Sequence, residues 1–309
     1  LNLFLLNRVI YKFKDYDVIL SNNGGYPASW NCISSIIVAK KIGIKKRFLL
    51  IHHESNDFFP FMKWFNQIVD KLVSASVTSI LCVSKATRNS LLKKRFLSLS
   101  SKRVKVIYNS LKIKKVNKKK FFNLRKKYKI SKKKFLIGSI SRIEPYKGHF
   151  DLIKSISKID KIFLNNVHFV FIGKGYSNYE IFLKDEVKRL HLSKIITFTG
   201  YIKEKSEDLI SQLDLLINPT QTFEGYGLSI LEAINCKVPV IATNVGAINE
   251  VFGKKIINIV PPKNIVKISK KIILFLQKPK IFTRKAEFAY NHFSKNYSPM
   301  SNKFRKIFS

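Results

Sequence analysis

Short apolar runs alternate with helical stretches along most of the chain, and this alternation limits the folds open to it. The apolar runs of the first half occupy residues 16–21, 47–51, 79–83 and 104–108. Those of the second half occupy residues 135–140, 167–172, 195–198, 215–218, 240–242 and 257–260. Short strands separated by helices are typical of a parallel sheet covered on both faces. The pattern therefore predicts an α/β protein with two Rossmann-like halves, the first shorter than the second.

One basic segment interrupts the alternation and predicts the domain boundary. Residues 111–134 contain 13 Lys or Arg residues and no acid, which is typical of a solvated linker or helix face. We therefore expect an N-terminal domain at residues 1–110 and a larger second domain at residues 135–290. Residues 291–309 are predicted to form a C-terminal helix that packs back on the first domain.

The composition excludes several classes of protein. Of the 309 residues, 46% are hydrophobic, so disorder along the whole chain is excluded. Cys32, Cys82 and Cys236 are far apart, which excludes a disulfide framework and a CxxC-type zinc site and fits a reducing, cytoplasmic compartment. The longest apolar runs are far too short to cross a bilayer.

The net charge of +39 is the most unusual number in the composition. Such basicity is typical of proteins that bind nucleic acid or an anionic membrane. However, lysine outnumbers arginine 48 to 10, and glycine and proline are scarce, as A/T-rich codons would dictate. We therefore attribute most of the charge to codon composition, and a nucleic-acid-binding protein remains as an alternative.

Two cations follow the first strand of the second half. Arg142 and Lys147 lie in the stretch SRIEPYKGHF, directly after the strand at residues 135–140. Ligands of such folds bind at the carboxyl ends of parallel strands, and an arginine fork with a lysine charge would suit a diphosphate. The alternative is two more surface cations, and spacing alone favours that alternative.

A second candidate element joins a strand to a helix. The strand at residues 215–218 is followed by a loop with Gly225 and Gly227, and the helix begins near Leu228. Glycines let the backbone approach a ligand, and a helix N-terminus attracts anions. Glu224 and Glu232 flank this turn, and carboxylates that would repel a phosphate are suited to accept hydrogen bonds from sugar hydroxyls.

These segments together resemble glycosyltransferase family 4. The E-x7-E spacing of Glu224 and Glu232 lies around the run GYGLSILEA. Further similar segments are PVIAT (239–243), GAINE (246–250), SRIEPYKG (141–148), FIGKG (171–175), FTGYI (198–202), INPT (217–220), DVILS (17–21), VSKATRNSL (83–91) and VIYNS (106–110). The resemblance covers nearly the whole chain, and its second-half motifs are specific in combination.

The resemblance implies a fold and a reaction. The fold is GT-B, in which two Rossmann-like domains face a cleft, and the N-terminal domain here is expected to be incomplete. The reaction is transfer of a hexose-type sugar, with retention, from a nucleotide-diphosphate sugar to a saccharide or lipid-linked saccharide acceptor. Such enzymes make cell-surface polysaccharide or lipopolysaccharide.

The resemblance also implies roles for single residues. Arg142 and Lys147 match the pair that holds the donor diphosphate, Glu224 matches the glutamate that contacts the transferred sugar, and Glu232 matches the one that binds the ribose. Gly225, Tyr226, Gly227 and Leu228 match the loop whose amides meet sugar and phosphate, and Ile202 matches the position whose backbone meets the base. His52 or His53 matches a histidine that faces donor sugar and acceptor.

No metal or other cofactor is expected. Arg142, Lys147 and the helix N-terminus at Gly227 would stabilise the leaving diphosphate in place of a metal. Asp15-Tyr16-Asp17 has the form of a metal-binding DxD motif, but it precedes a strand and is predicted to be a turn.

Two departures from the family pattern stand on turns. Lys237 and Ala247 occupy positions where the family usually has glycine. The short N-terminal domain makes a catalytically silent glycosyltransferase-like subunit a second alternative. The segment at residues 58–65 mixes aromatics with lysine, as interfacial segments do, and predicts peripheral attachment to the inner face of the cytoplasmic membrane. A helix that packs these aromatics into the core or over the acceptor cleft is an equal alternative.

Overall fold

A computed structural model describes residues 10–56, 61–110, 122–296 and 299–308. The chain divides into two compact units. Unit 1 contains the described residues up to Ser110 together with residues 224–226 and 299–308, and unit 2 contains the remaining described residues. Of the predicted linker, residues 111–121 lie outside the described ranges.

Unit 1 is a four-stranded parallel sheet with helices between the strands. Its elements are β1 (Val18–Asn23), α1 (Trp30–Lys41), β2 (Lys46–Ile51), α2 (Lys63–Ser76), β3 (Ser79–Cys82), α3 (Lys85–Lys94) and β4 (Val104–Val106). The strands pair in the order β1-β2-β3-β4, all parallel. Their apolar side chains are buried because the helices cover the sheet: Leu49, Ile51 and Ile80 are each 0% exposed.

Helix starts in unit 1 follow local chemistry. Ser84 caps α3 as predicted, because its hydroxyl accepts a hydrogen bond from the amide of Thr87 at 3.1 Å. The helix expected to open at Pro27 begins three residues later, at Trp30. Tyr26 explains this difference, because it forms a parallel bridge with Ser55 and its carbonyl accepts from the amide of Asn56. Paired, extended backbone cannot also be helical.

A buried ion pair joins α2 to the segment after α3. Arg95 and Asp70 lie 2.9 Å apart, and both side chains are 0% exposed. Asp70 also accepts from the hydroxyl of Tyr26 at 2.9 Å and from the amide of Phe96 at 2.8 Å. The carboxylate is therefore fully hydrogen-bonded, which is the condition under which a buried ion pair is tolerated.

Unit 2 is a six-stranded parallel sheet. Its elements are α4 (Leu124–Lys127), β5 (Phe135–Ile140), α5 (His149–Ile156), α6 (Lys161–Leu164), β6 (Val167–Ile172), α7 (Ser177–Arg189), β7 (Ile196–Gly200), α8 (Ser206–Ile210), β8 (Leu215–Asn218), α9 (Leu228–Asn235), β9 (Val240–Thr243), α10 (Ile248–Val251), α11 (Gly253–Ile256), β10 (Asn258–Val260), α12 (Ile265–Gln277) and α13 (Pro279–Lys295). The strands lie in the order β7-β6-β5-β8-β9-β10.

This order creates a topological switch point between β5 and β8. From β5 the chain builds outward to β7, and it then returns to place β8 on the other side of β5. Loops at the carboxyl ends of β5 and β8 therefore diverge, and a crevice opens where such sheets bind ligands.

Two segments differ from their predicted placement. Residues 122–134 belong to unit 2, where Leu124 is 0% exposed and Arg125 pairs with Asp214 at 2.9 Å. The predicted boundary after residue 290 falls inside α13. The last helix, α14 (Met300–Phe308), is grouped with unit 1, where the ring of Phe308 lies 4.8 Å from that of Phe48.

None of the described helices combines the length and apolarity needed to cross a bilayer.

Candidate functional site

A pocket of about 330 Å³ lies at the carboxyl ends of β5, β6 and β7 in unit 2. The loops after these three strands supply one wall, and α8 and α9 supply the other. Three residues singled out from the sequence line it: Arg142 after β5, Ile202 after β7 and Glu232 on α9. The sheet therefore gathers side chains that are up to 90 positions apart in the chain.

Arg142 is connected to Lys147 through Tyr146. The Arg142 guanidinium donates to the carboxylate of Glu144 and to the hydroxyl of Tyr146, each at 2.7 Å. The ammonium of Lys147 lies 5.3 Å from the centre of the same Tyr146 ring. Lys147 does not line the pocket itself, but this contact holds two cations on one short turn.

Glu232 lies in the second turn of α9 with its carboxyl half-buried. Burial raises the pKa of this carboxyl, a hydrogen bond from Ser206 lowers it, and the nearby charge of Glu207 raises it again. Helical side chains lean toward the helix N-terminus, which directs Glu232 into the pocket. It is a hydrogen-bond acceptor in a partly dehydrated place, which suits a ligand hydroxyl.

Glycines after β6 let two pocket loops touch. A Cβ on Gly173, where φ is +142°, would lie 1.9 Å from the carbonyl oxygen of Ser141. A Cβ on Gly175 would lie 1.8 Å from that of Ile143. A lone GxG is a weak sequence signal for a binding site. Both glycines are nevertheless required here, because any larger residue would collide with the backbone of the neighbouring loop.

Gly227 and Leu228 begin α9. Gly227 adopts φ +89°, and a Cβ there would crowd Ile248 and Phe252 at 3.1 Å. Leu228 is 46% exposed. The glycine thus turns the chain from the loop into the helix whose second turn carries Glu232.

Residues 224–226 are grouped with unit 1, where they meet the two candidate histidines. A Cβ on Gly225 would lie 1.8 Å from the carbonyl oxygen of His52 and 3.3 Å from the Cα of His53. The Nε2 of His52 lies 2.6 Å from the amide oxygen of Asn22, and burial lowers the pKa of its imidazole. The ring of Tyr226 lies 6.4 Å from that of Tyr108.

The predicted residues thus occupy two places, and some pocket residues were not predicted. Arg142, Ile202 and Glu232 share the pocket of unit 2, whereas His52, His53 and Glu224 belong to unit 1. Sequence reasoning missed Lys174, Tyr201, Glu204 and Ser206, which also line the pocket. Their only signal was position, since each closely follows a strand of the same sheet. Within the described ranges, no three His, Cys, Asp or Glu side chains form a group that could hold a metal ion.

Comparisons with known proteins agree with this arrangement. Residues 120–292, more than half of the chain, match the family described as Glycosyl transferases group 1. The chain is 28% identical over 162 residues to the O-antigen biosynthesis glycosyltransferase WclY of Escherichia coli, covering 50% of this chain and 42% of that protein. It is 34% identical over 142 residues to Protein CapJ of Staphylococcus aureus, covering 44% and 33%. The chain thus spans less than half the length of these relatives.

Solved structures confirm the predicted α/β fold of the GT-B type. Anabaena Alr3699/HepE in complex with UDP-glucose superposes with a TM-score of 0.79 at 20% identity, over 98% of this chain and 80% of that one. A glycosyltransferase from Rickettsia africae gives 0.79 at 21% identity, over 99% and 79%. Together with the match over residues 120–292, the parallel sheets and the pocket at their carboxyl ends lead to one conclusion: the chain belongs to the glycosyl transferases group 1 family.

Proposed function

We propose that this protein is a retaining glycosyltransferase of family 4 that acts in the synthesis of a cell-surface glycan. It transfers a hexose-type sugar from a nucleotide-diphosphate sugar to a saccharide or lipid-linked saccharide acceptor. The observation that carries the proposal is the pocket of unit 2, where Arg142 and Glu232 share one cavity at the carboxyl ends of the strands. The names of WclY and of HepE bound to UDP-glucose support it.

Different residues bind different parts of the donor, according to their chemistry. The Arg142 fork and the Lys147 charge bind the diphosphate, because both are cations held on one turn by Tyr146. Glu232 accepts hydrogen bonds from the ribose hydroxyls, and the backbone at Ile202 meets the base. Glu224 contacts the transferred sugar, and the amides of Gly225, Tyr226, Gly227 and Leu228 meet sugar and phosphate.

The reaction breaks the bond between the anomeric carbon and the leaving phosphate oxygen. Negative charge grows on the diphosphate while the sugar becomes oxocarbenium-like, and Arg142 and Lys147 stabilise that charge. No metal or other cofactor is part of the proposal, since the two cations and the N-terminus of α9 supply the positive potential. The acceptor attacks the same face, and the leaving oxygen takes its proton.

One of the two candidate histidines faces the sugar and the acceptor. His52 is held at its Nε2 by the amide oxygen of Asn22, and burial lowers the pKa of its imidazole, which favours the neutral ring. Because the Nε2–H of the neutral ring donates to Asn22, its Nδ1 is left to accept a hydrogen bond from a sugar hydroxyl without adding charge. His53 is the alternative for this role.

The test is calorimetric titration with UDP-, GDP- and ADP-sugars. We expect one of them to bind the wild type, and Glu232→Gln to weaken it by about tenfold or more, since a hydrogen bond to a charged group is lost. Glu287→Gln, an exposed glutamate on α13, is the matched control and should leave affinity unchanged. Equal effects of the two variants, or no binding of any donor, would contradict the proposal.

Two alternatives have their own readouts. A catalytically silent subunit would bind the donor but release no nucleotide in the presence of extracts rich in lipid-linked saccharides. A nucleic-acid-binding protein would bind duplex DNA in a salt-dependent way and would not bind donor. We favour the enzyme because the pocket lies at the carboxyl ends of the strands and contains Glu232. The positive charge, which would favour nucleic-acid binding, is instead spread along the chain.

We further propose that the protein is cytoplasmic and attaches to the inner face of the membrane through α2. Phe61 is 100% exposed, and Trp64, Ile68 and Leu72 follow at helical spacing with 60%, 46% and 48% exposure. Lys71 lies next to this apolar stripe, as in interfacial helices that bind anionic lipid. Of the aromatic segment expected to bind membrane, residues 58–60 lie outside the described ranges.

Liposome flotation tests the attachment. Wild-type protein should float with anionic vesicles at low salt. The double variant Trp64→Ser, Ile68→Gln should reduce the floated fraction severalfold. The control replaces two equally exposed apolar side chains of α13, Ile281→Gln with Phe288→Ser, which should not change flotation. If both double variants float like the wild type, the stripe does not bind membrane.

A further inference from the structure

A second cavity of unit 2, of about 530 Å³, is lined by residues of β10, the outermost strand of the sheet, and of the helices before and after it. Four lysines line it, Lys254 of α11 and Lys267, Lys270 and Lys271 of α12, and no acidic residue does. It shares no lining residue with the pocket at β5 to β7. From β5 to β10 there are three strand spacings, or about 14 Å.

The lysines of α12 repel one another in the unliganded protein. Lys270 and Lys271 lie three and four residues after Lys267, so both neighbour it on one helix face. Like charges at these spacings destabilise a helix. Lys267 stands in the first turn, where the helix dipole also opposes a cation. A bound anion would relieve both effects.

Neighbouring acids do not relieve this repulsion. Among the described residues, the ion pairs include none of the four lysines. Helix α7 of the same unit shows the contrast, because its Lys184 and Lys188 pair with Glu180 and Asp185. The four lysines of the cavity thus stand together without an acidic partner in the described ion pairs.

A fifth lysine reinforces the cluster. The ammonium of Lys285 on α13 donates to the carbonyl oxygen of Lys254 at 2.6 Å. Burial lowers the pKa of Lys285, and the nearby charge of Lys271 lowers it further. The positive potential thus extends from the cavity into the space between α12 and α13.

Apolar side chains also line the cavity. Ile259, Pro261 and Pro262 lie at and just after β10, and Leu274 lies on the lysine face of α12. A free inorganic anion would use the lysines but leave these apolar side chains in contact with water. A ligand with a charged head and an apolar body would use both.

We propose that this lysine pocket binds the phosphate group of an amphiphile, with the phosphate on the ammonium groups and the apolar chain along Ile259, Pro261 and Leu274. The site is separate from the donor pocket and does not depend on the proposed transferase reaction. The phosphate can belong to a dispersed amphiphile or to a lipid headgroup in a bilayer, and the experiment distinguishes these two sources.

The test is calorimetric titration with octyl phosphate below its critical micelle concentration, alongside octanol and inorganic pyrophosphate. We expect octyl phosphate to bind more tightly than either comparison compound. The triple variant Lys267→Gln, Lys270→Gln, Lys271→Gln should weaken it about tenfold, the sum of three exposed ion pairs. Binding to vesicles that contain phosphatidic acid, kept by the Trp64→Ser, Ile68→Gln double variant and lost in the lysine triple variant, would identify a bilayer source.

The matched control removes the same charge elsewhere in unit 2. Lys132→Gln, Lys133→Gln and Lys280→Gln alter three exposed lysines outside the cavity and should leave octyl phosphate affinity unchanged. Equal losses in the two triple variants would overturn the proposal, as would pyrophosphate that binds as tightly as octyl phosphate and is lost in the Lys267, Lys270 and Lys271 triple variant. Thermal midpoints of both variants, compared with that of the wild type, verify that each has folded.

Discussion

Lys237 occupies a backbone conformation that favours glycine. It follows α9 with φ +55°, the left-handed position that commonly ends a helix. Ala247, the other replacement of an expected glycine, has φ −86° and needs no such freedom. The two departures from the family pattern therefore differ: one is strained and the other is not.

We expect Lys237→Gly to be more stable than Lys237→Ala by about 1 kcal/mol, because only glycine relieves the left-handed strain. The comparison is with alanine because both variants lose the cation–π contact between Lys237 and Tyr290, at 4.7 Å. Urea denaturation of the two variants measures the difference. Equal stabilities would show that the turn carries no strain.

His149 is a fully buried histidine beside the pocket at the carboxyl ends of β5 to β7. Burial lowers its pKa to about 4, and the charge of Lys147 contributes in the same direction. Its Nε2 lies 3.4 Å from the hydroxyl of Ser141, a pocket residue. The imidazole of His149 therefore takes up a proton near pH 6.5 in the unfolded chain, but only near pH 4 in the folded protein.

Stability contributed by neutral His149 should be complete above pH 6.5 and should be lost as the pH falls toward 4. The free energy of unfolding of the wild type, relative to His149→Gln, should fall by about 2–3 kcal/mol between pH 7 and pH 4.5. Urea titrations at both pH values measure it. A difference that stays constant with pH would contradict the assignment.

At the scale of elements, the Arg95–Asp70 pair fixes α2 against the end of α3. Removing one partner leaves a charge that is buried and unpaired, so Arg95→Met or Asp70→Leu alone should cost about 3–5 kcal/mol. The double variant should cost less than the sum of the two. Lys94→Met is the control, because its pair with Glu54 is partly exposed and should contribute less than about 1 kcal/mol. Additive losses in the urea-denaturation cycle would contradict the coupling.

The strands were predictable and the pocket was predictable only in part. Runs such as residues 135–140 and 167–172 are largely apolar, because both faces of the sheet are covered, and they match β5 and β6. The contribution of Ser206 to the site was not predictable. It depends on which helix lies beside α9, and sheet order is decided by packing between distant segments.

Where a helix starts, and which unit it joins, also depend on contacts between segments that are distant in the chain. Ser84 was predictable because its cap bond is local, three residues long. The start of α1 was not, because the bridge between Tyr26 and Ser55 prevents a helix at Pro27 from 29 positions away. For α14, the sequence predicts packing on the first domain, but it does not identify Phe48 and Tyr108, whose contacts with the helix lie far back in the chain.

At the scale of the whole molecule, charge acts against folding. A net charge of +39 repels itself in any compact state, while the ion pairs described here are mostly exposed and weak. Raising NaCl from about 0.05 M to about 0.5 M should therefore increase the urea midpoint by screening the repulsion. A midpoint that falls with salt would mean that attractive pairs outweigh repulsion, against this account.

The placement of α14 also affects how the protein is made. The ammonium of Lys303 donates to the carbonyl oxygen of Tyr108 at 2.9 Å, so unit 1 includes residues translated after the whole of unit 2. On the ribosome, the sheet of unit 2 can be synthesised and folded while unit 1 still lacks this helix. The first unit to begin synthesis is thus the last to be completed.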